Sequence, residues 1–505
     1  MGLALLLVFL AYAPSLGNGW VWDDHQLLEH NPALWSPALI FLRDVFGPEE
    51  LTRAPVYRPL VMATHALGQA VSPGPGIEHV VNLGLHLGIV ALVAAIARRL
   101  GASNLGSWLG AAVFGVHAGA SEPVFWVTGR HDLVPAALLL GGWVALIDRR
   151  SWVAGLLLAL APFCKEPYML APLTVLVWGL ALRRFDLRAF FLASVGSAAY
   201  VGIRTGLGWP LPQDPATTLP FGAIGSAMAR FIELLLVPAS AAVMAREVPM
   251  PALGVGVVAA SAVLLAFMWR IPRLAAVVAP LPVWAPGALA SAYIGIVADR
   301  YAYVLFAGLG IVLAFILPRL GRAAWLIPAL LVPITVQRGF DWHDDRSIFA
   351  ADLRIDPENP KAAYQVGHAL HVVDGDCEAA MPLYRIALSK ESRAATNLQA
   401  CLMDGQRWAE AAELGDQTTT AAGAMNTARA HAQLGDGGAV VTWAEIATTR
   451  EPDRPDTWVL YGKALANVAR WNDAVGAFDR ALALTPGDEA VQGLRERAVA
   501  ASGPR

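Results

Sequence analysis

The sequence predicts an all-α chain in two parts: a polytopic membrane helix bundle over residues 1–340, then an α-solenoid of paired helices over 359–500. Three observations predict it. The 505 residues are 56% hydrophobic and 15% charged, with a mean hydropathy of +0.49, too apolar for a water-soluble chain of this size. The charge is unevenly placed: 21 basic and 16 acidic residues precede Asp341, net +5, whereas 16 basic and 24 acidic residues follow, net −8. A 34-residue period runs through the charged part. Neither part has the basic, aromatic-interleaved patch that nucleic-acid binding requires.

Apolar runs long enough, or nearly so, to span a bilayer recur at about residues 2–17, 79–97, 105–121, 132–147, 151–164, 168–182, 189–203, 252–269, 274–292, 302–317 and 323–337. The first contains an Ala11-Tyr12-Ala13 run like a signal-peptidase site but has no basic n-region, and it is read as a retained helix. Basic turns separate the later runs: Arg98-Arg99, Arg149-Arg150, Arg183-Arg184 with Arg188, Arg270 with Arg273, and Arg319 with Arg322. The positive-inside rule makes them cytoplasmic if 221–245, which contains Arg230, Glu233 and Pro238, is interfacial or re-entrant. About 11 spans then put the C-terminal part and three outer loops, 18–78, 204–251 and 298–303, on the extracytoplasmic side.

In the charged part, Trp458, Tyr461, Gly462, Leu465, Ala474, Phe478, Ala481 and Pro486 fit the tetratricopeptide (TPR) template, and one period earlier lie Ala424, Ala428, His431, Val440, Ala444, Ala447 and Pro452. Ala363, Gly367, Leu370, Ala379, Leu383 and Ile386 make a further repeat; the stretch around Gln399–Ala411 is degenerate and short. Residues 341–358 are left as a linker. A solenoid of this kind holds a peptide or protein partner and performs no chemistry itself. Cys164, Cys377 and Cys401 form no disulfide framework or CxxC site; they read as small core residues, with a Cys377–Cys401 bridge open to an oxidising compartment.

Chemistry points to the outer loops. Asp23 and Asp24, in Trp22-Asp23-Asp24-His25, are adjacent carboxylates at the membrane face, where burial and repulsion raise a pKa toward that of a general base. The plainer alternative is a solvated turn. Cations gather at outer span edges: Arg58, Arg130 beside Asp132, Lys165 beside Glu166, and Arg300 beside Asp299. Singly, each has a structural account: Asp132 capping a helix, Lys165 pairing with Glu166, Arg300 snorkelling among tyrosines. Together they make an anion site. His79, Asn82 and His86 share one helix face and read foremost as polar glue between helices. No His/Asp spacing is a metal signature. One base to deprotonate an alcohol, with cations to receive a departing phosphate, suffices for transfer from a phosphate leaving group.

At these residues the chain resembles the transmembrane-and-TPR O-mannosyltransferase family, within the GT-C class that includes the protein O-mannosyltransferases. The matching features are Trp22-Asp23-Asp24 with Asn31-Pro32, Tyr57-Arg58-Pro59-Leu60, His79-x-x-Asn82-x-x-x-His86, His117 and Glu122 leading to Gly129-Arg130-x-Asp132-Leu133, Lys165-Glu166, and Asp299-Arg300-Tyr301. The resemblance implies an inverting transferase with a polyprenyl- or dolichyl-phosphate sugar donor, mannose or another hexose, and a protein hydroxyl acceptor. Carried over, Asp23 or Asp24 is the base. Arg300, Arg58, Arg130 and Lys165 bind the donor phosphate, supported by His25, Glu166, Asp132, His79, Asn82 and Asp299. The lipid-linked sugar is a substrate, so no cofactor is expected, with a divalent metal left open. Asp299 stands where the family tends to have Glu, and the repeat array is short. A lipid or polysaccharide acceptor, or a non-catalytic scaffold, are the alternatives. Residue bias suggests a bacterial inner membrane with periplasmic repeats, or an endoplasmic reticulum membrane with lumenal repeats in a eukaryote.

Overall fold

A computed structural model describes residues 1–36, 40, 56–208, 220–246, 248–294 and 296–503. Among them the chain is helical apart from one two-residue antiparallel ribbon, Ala245–Arg246 with Ile296–Val297, in register Ala245↔Val297 and Arg246↔Ile296. It divides into two compact units, Met1–Ala351 and Asp352–Arg505.

In the first unit the eleven apolar runs all fall on helices, but among the described residues five stretches are long and apolar enough to cross a membrane: Pro75–Arg99, Arg130–Ile147, Pro251–Met268, Pro272–Ala290 and Asp299–Asp341. Gly2–Gly17 and Ser151–Phe163 are shorter apolar helices. Proline and glycine account for much of the difference. The run at 105–121 breaks at Gly115, so its helix Asn104–Gly115 reaches about 18 Å against roughly 30 Å of hydrocarbon. Pro251–Met268 has a mean hydropathy of 2.2, yet only 11% of it is buried in the protein, so it requires an apolar solvent. Within the bundle Gly106 and Gly110 let helix Asn104–Gly115 touch the backbone of Tyr303–Ile316; a Cβ on either would strike the carbonyls of Ala314 and Gly310. This is close small-residue packing, which serves where lipid removes the hydrophobic drive between helices.

The ambiguous 221–245 stretch forms a 17-residue helix, Pro220–Leu236, then a 3₁₀ turn, Pro238–Ser240, that leads into the ribbon. The expected linker at 341–358 is mostly helical: Leu326–Asp341 ends there and Asp345–Ile355 follows, crossing the boundary between units.

The second unit is a series of helix pairs. Pro360–His368 pairs with Cys377–Ala387, Ser392–Asp404 with the short Trp408–Glu413, Ala421–Gln433 with Gly437–Arg450, and Pro455–Asn467 with Trp471–Leu484. Helix starts are fixed by side-chain oxygens of Asn359, Asp376, Thr420, Asp436 and Asp488, which accept backbone N–H bonds from the first turn. Gly462 meets the Phe478 ring so closely that any Cβ would lie about 2.5 Å from it. The template's small position therefore has a direct steric cause. Cys377 and Cys401 form a disulfide, correcting their reading as independent core residues; Cys164 is free and buried.

Candidate active site

Pro14 ends the first helix, and a 3₁₀ turn, Ala13–Gly17, delivers the chain to Asn18. The loop that follows is tied to the end of helix Leu326–Asp341. Asn18 Nδ2 donates to the Gly339 carbonyl at 3.0 Å, and Gly19 N–H to that of His343 at 3.1 Å. Trp22 has φ +56°, a left-handed conformation costing an L-residue roughly 1–2 kcal/mol. Two contacts offset the strain: Trp22 N–H donates to Asp345 Oδ1 at 2.6 Å, and its ring stacks on Trp126 at 5.2 Å. A non-glycine residue held this way immediately before the aspartate pair is the kind of outlier that accompanies functional sites.

The two aspartates differ sharply. Asp24 is fully buried. Its Oδ2 accepts Val21 N–H at 3.1 Å, and its Oδ1 accepts Thr128 N–H at 2.9 Å and the Thr128 hydroxyl. Burial pushes its pKa up to about 7, the Asp23 charge adding to the rise and the Thr128 and Val21 bonds opposing it. Asp23 is half-buried. Asp24 thus ties the loop to the turn Trp126–Arg130, and Asp23 is the carboxylate that retains solvent access. His25 Nδ1 meets Glu29 at 2.5 Å, and its Nε2 lies 3.5 Å from Asp345.

Arg300 lies against this loop. Its guanidinium carbon is 5.7 Å from the Trp22 ring centre, 5.0 Å from Trp126 and 5.4 Å from Tyr301, so it is held in an aromatic box. Arg300 Nη1 donates to Glu122 Oε1 at 2.5 Å, and its backbone N–H to Oε2 at 2.8 Å. Its Nε and Nη2 meet no carboxylate among the described residues. Arg300 also borders a narrow cavity of about 30 Å³, lined in addition by Asp132, Lys165, Tyr168, Trp284 and Tyr301. Lys165 Nζ donates to Asp132 Oδ1 at 2.5 Å. Burial pushes the Lys165 pKa down, Asp132 opposing and the charges of Arg58 and Arg300 adding to the fall. Arg58 donates to Glu166 from Nη2 at 2.8 Å and from Nε at 3.2 Å. Burial opposes ionisation of Glu166, but Arg58 outweighs it and holds the carboxyl below its usual range. Arg58, Lys165 and Arg300 therefore share one electrostatic neighbourhood, each steadied by its own carboxylate.

Two expected residues are engaged elsewhere. Arg130, expected as a phosphate ligand, is fully buried: its Nη2 lies 2.6 Å from Glu78 Oε2, and its Nε donates to Asn82 Oδ1 at 2.8 Å. Arg130 is thus tied to Glu78 and Asn82 through Nη2 and Nε, while its Nη1 is buried without a hydrogen-bond partner among the described residues. Asp299 pairs with Arg230, at 2.8 Å to Nε and 3.1 Å to Nη2, and accepts Ala242 N–H at 2.8 Å. It therefore fixes helix Pro220–Leu236 beside the Arg300 turn. His79 is buried, and Asn82 Nδ2 donates to the carbonyls of Trp126 and Val127, both at 3.0 Å, while His86 bridges Tyr303 and Gly115. Asn82 and His86 thus hydrogen-bond between elements, whereas both ring nitrogens of His79 are buried without a hydrogen-bond partner among the described residues. The sequence missed Thr128, Glu78, Arg230, Trp126 and Asp345. None stands in a spacing that signals its role; each acts through a partner at least thirteen, and mostly over forty, residues away.

No protein-family profile matches the chain. Two Drosophila melanogaster proteins are similar to part of it. Protein O-mannosyl-transferase Tmtc2 is 31% identical over 183 residues, covering 32% of this chain and 19% of that protein. Protein O-mannosyl-transferase Tmtc1 is 30% identical over 173 residues, covering 32% and 20%. The chain thus spans about a fifth of the length of these relatives. Among solved structures, YrrB, a TPR protein with an unusual peptide-binding site, is 15% identical, covers 30% of this chain and 83% of its own, and has a TM-score of 0.28. Yeast Tom70 is 10% identical, covers 73% and 88%, and has a TM-score of 0.26. At such TM-scores these likenesses carry no weight; the similarity that bears on function is the partial one to the two O-mannosyl-transferases.

Proposed function

We propose that this chain is an inverting glycosyltransferase of the membrane, moving a hexose from a polyprenyl-phosphate donor to a hydroxyl of a protein acceptor on the extracytoplasmic side. The partial similarity to O-mannosyl-transferases supports the reaction class. One observation carries the site: Arg300, fixed by Glu122, stacks over Trp22, the residue before Asp23, and borders the cavity that Lys165 also lines. That arrangement puts the Arg300 guanidinium over the ring of the residue that precedes Asp23, which supports a reading of Arg300 as the phosphate ligand and Asp23 as the base.

In this reading Asp23 takes the proton of the acceptor hydroxyl as its oxygen attacks the anomeric carbon. The C1–O bond to phosphate breaks, and the phosphate leaves with the electron pair and its added negative charge. Arg300, through Nε and Nη2, and Lys165 receive that charge, so no general acid is needed. Arg58 supplies field from its pair with Glu166, and Arg130 takes no part. Asp24 positions the loop; its carboxylate, bound by three donors, does not reach substrate. The Cys377–Cys401 bridge supports an oxidising compartment for the repeats.

The test is transfer in proteoliposomes from a polyprenyl-phosphate mannose donor to a Ser/Thr peptide. Asp23→Asn should lower turnover by about 10²-fold or more, the range of general-base catalysis. Unchanged transfer in Asp23→Asn combined with Asp24→Asn would remove the enzymatic reading and leave the scaffold alternative.

A further inference from the structure

The repeats segregate their charge. The first helices of the four pairs carry Lys361, Arg393, Arg429 and Lys463 against Asp404 and Asp456. The second helices carry six acidic residues, Glu378, Glu410, Glu413, Glu445, Asp473 and Asp479, against three arginines. The first helices of the four pairs thus carry a net charge of +2 within a part of the chain whose net charge is −8.

Two exposed arginines stand on the central first helices, and like Arg450, Arg480 and Arg497 they close on no acidic side chain among the described residues. Arg393 and Arg429 are exposed, and among the described residues neither reaches a carboxylate; Arg393 lies over the Tyr364 ring at 5.0 Å and Arg429 donates to Asn426 Oδ1 at 3.3 Å. By contrast Arg385, Arg407, Arg454, Arg470 and Arg495 each close on an acidic side chain. Between Arg393 and Arg429 stand Asn397 and Asn426, half-buried, on successive first helices. Asn397 Nδ2 reaches Tyr364 Oη at 3.3 Å and Tyr384 Oη at 3.4 Å, and Asn426 Nδ2 reaches the Thr396 carbonyl at 3.5 Å. All these bonds sit at the long, weak end of the range and yield readily to a better partner. An asparagine amide offers a donor and an acceptor together, which is what one residue of an extended main chain presents in return.

We propose that this first-helix strip holds an extended acidic peptide, its carboxylates on Arg393 and Arg429 and its backbone on Asn397 and Asn426. The inference deepens the proposed function, on which it rests for its meaning: it assigns the protein acceptor a chemical class, a hydroxyl-bearing segment flanked by Asp or Glu. Arginine matches carboxylates through its planar fork, and selection by charge follows without any apolar groove.

The experiment uses the full chain in detergent and three labelled peptides of one length, acidic, amide-substituted (Asn and Gln) and lysine-substituted, with binding read by anisotropy. The acidic peptide should bind at least about tenfold tighter than its amide counterpart, and Arg393→Gln with Arg429→Gln should abolish that preference, whereas Arg385→Gln should not. Salt titration of the wild type needs no variant: binding should weaken steeply between low and high ionic strength. Equal binding of the three peptides, or binding indifferent to salt, overturns the inference. Transfer to a Ser/Thr peptide flanked by Asp and Glu is measured in parallel, so binding of that peptide without any transfer would sink the enzymatic reading and leave this one standing.

Discussion

At the residue scale, the adjacent carboxylates divide their labour through burial. Asp24 is raised to about 7, above its unfolded value near 4, so the folded protein holds this proton more tightly than the unfolded chain does. Its contribution to stability is fully present at about pH 4 and is lost as pH rises toward 7, with a slope of at most about 1.4 kcal/mol per pH unit. Asp24→Asn, which cannot titrate, should flatten the fall in melting temperature between about pH 4 and 7; an unchanged slope would mean the acidity lies elsewhere. Glu122→Gln should be costly for another reason, since it leaves the buried Arg300 charge unpaired. The loss expected is about 3–5 kcal/mol of stability, read by thermal unfolding in detergent, and Glu122→Gln equal in stability to the wild type would deny the pair its role. The Asp23-Asp24 pair and Arg300 stood out in the sequence because charge at a membrane face is conspicuous. Which aspartate is buried did not, because that depends on Thr128, 104 residues from Asp24, whose hydroxyl belongs to no motif. Arg130 looked like its neighbours in sequence for the same reason; its partner Glu78 comes from the start of another helix.

At the element scale, helix existence was legible from apolar runs and the 34-residue period, whereas helix length was not. Proline and glycine within those runs convert several apparent spans into short helices with 3₁₀ ends, as at Ala161–Phe163 and Glu166–Leu170. Close packing sets the strictest demand. Gly110→Leu should prevent helix Asn104–Gly115 from seating on Tyr303–Ile316 and remove most folded protein, whereas Gly88→Leu, with open space at its Cβ, should be tolerated; the recovery of monodisperse protein by size exclusion compares the two. In the repeats, the Cys377–Cys401 bridge closes a loop of 24 residues. Cys401→Ser should therefore lower the stability of that part by about 3 kcal/mol, and reductant should have the same effect on the wild type but none on the variant.

At the scale of the whole molecule, the chain forms two compact units, Met1–Ala351 and Asp352–Arg505. The first unit gathers residues from distant parts of the chain: Trp22 from the first loop, Glu122 and Trp126 from a turn, Lys165 from another, and Arg300 from the last outer loop. That convergence is the account's central claim, and binding of polyprenyl phosphate without its sugar tests it most directly. Equilibrium titration should show Arg300→Ala weakening the lipid at least about tenfold, the scale of one lost charge-assisted contact, while Asp23→Asn binds as tightly as the wild type yet fails to turn over. Polyprenyl phosphate bound equally well by wild type and Arg300→Ala would contradict it.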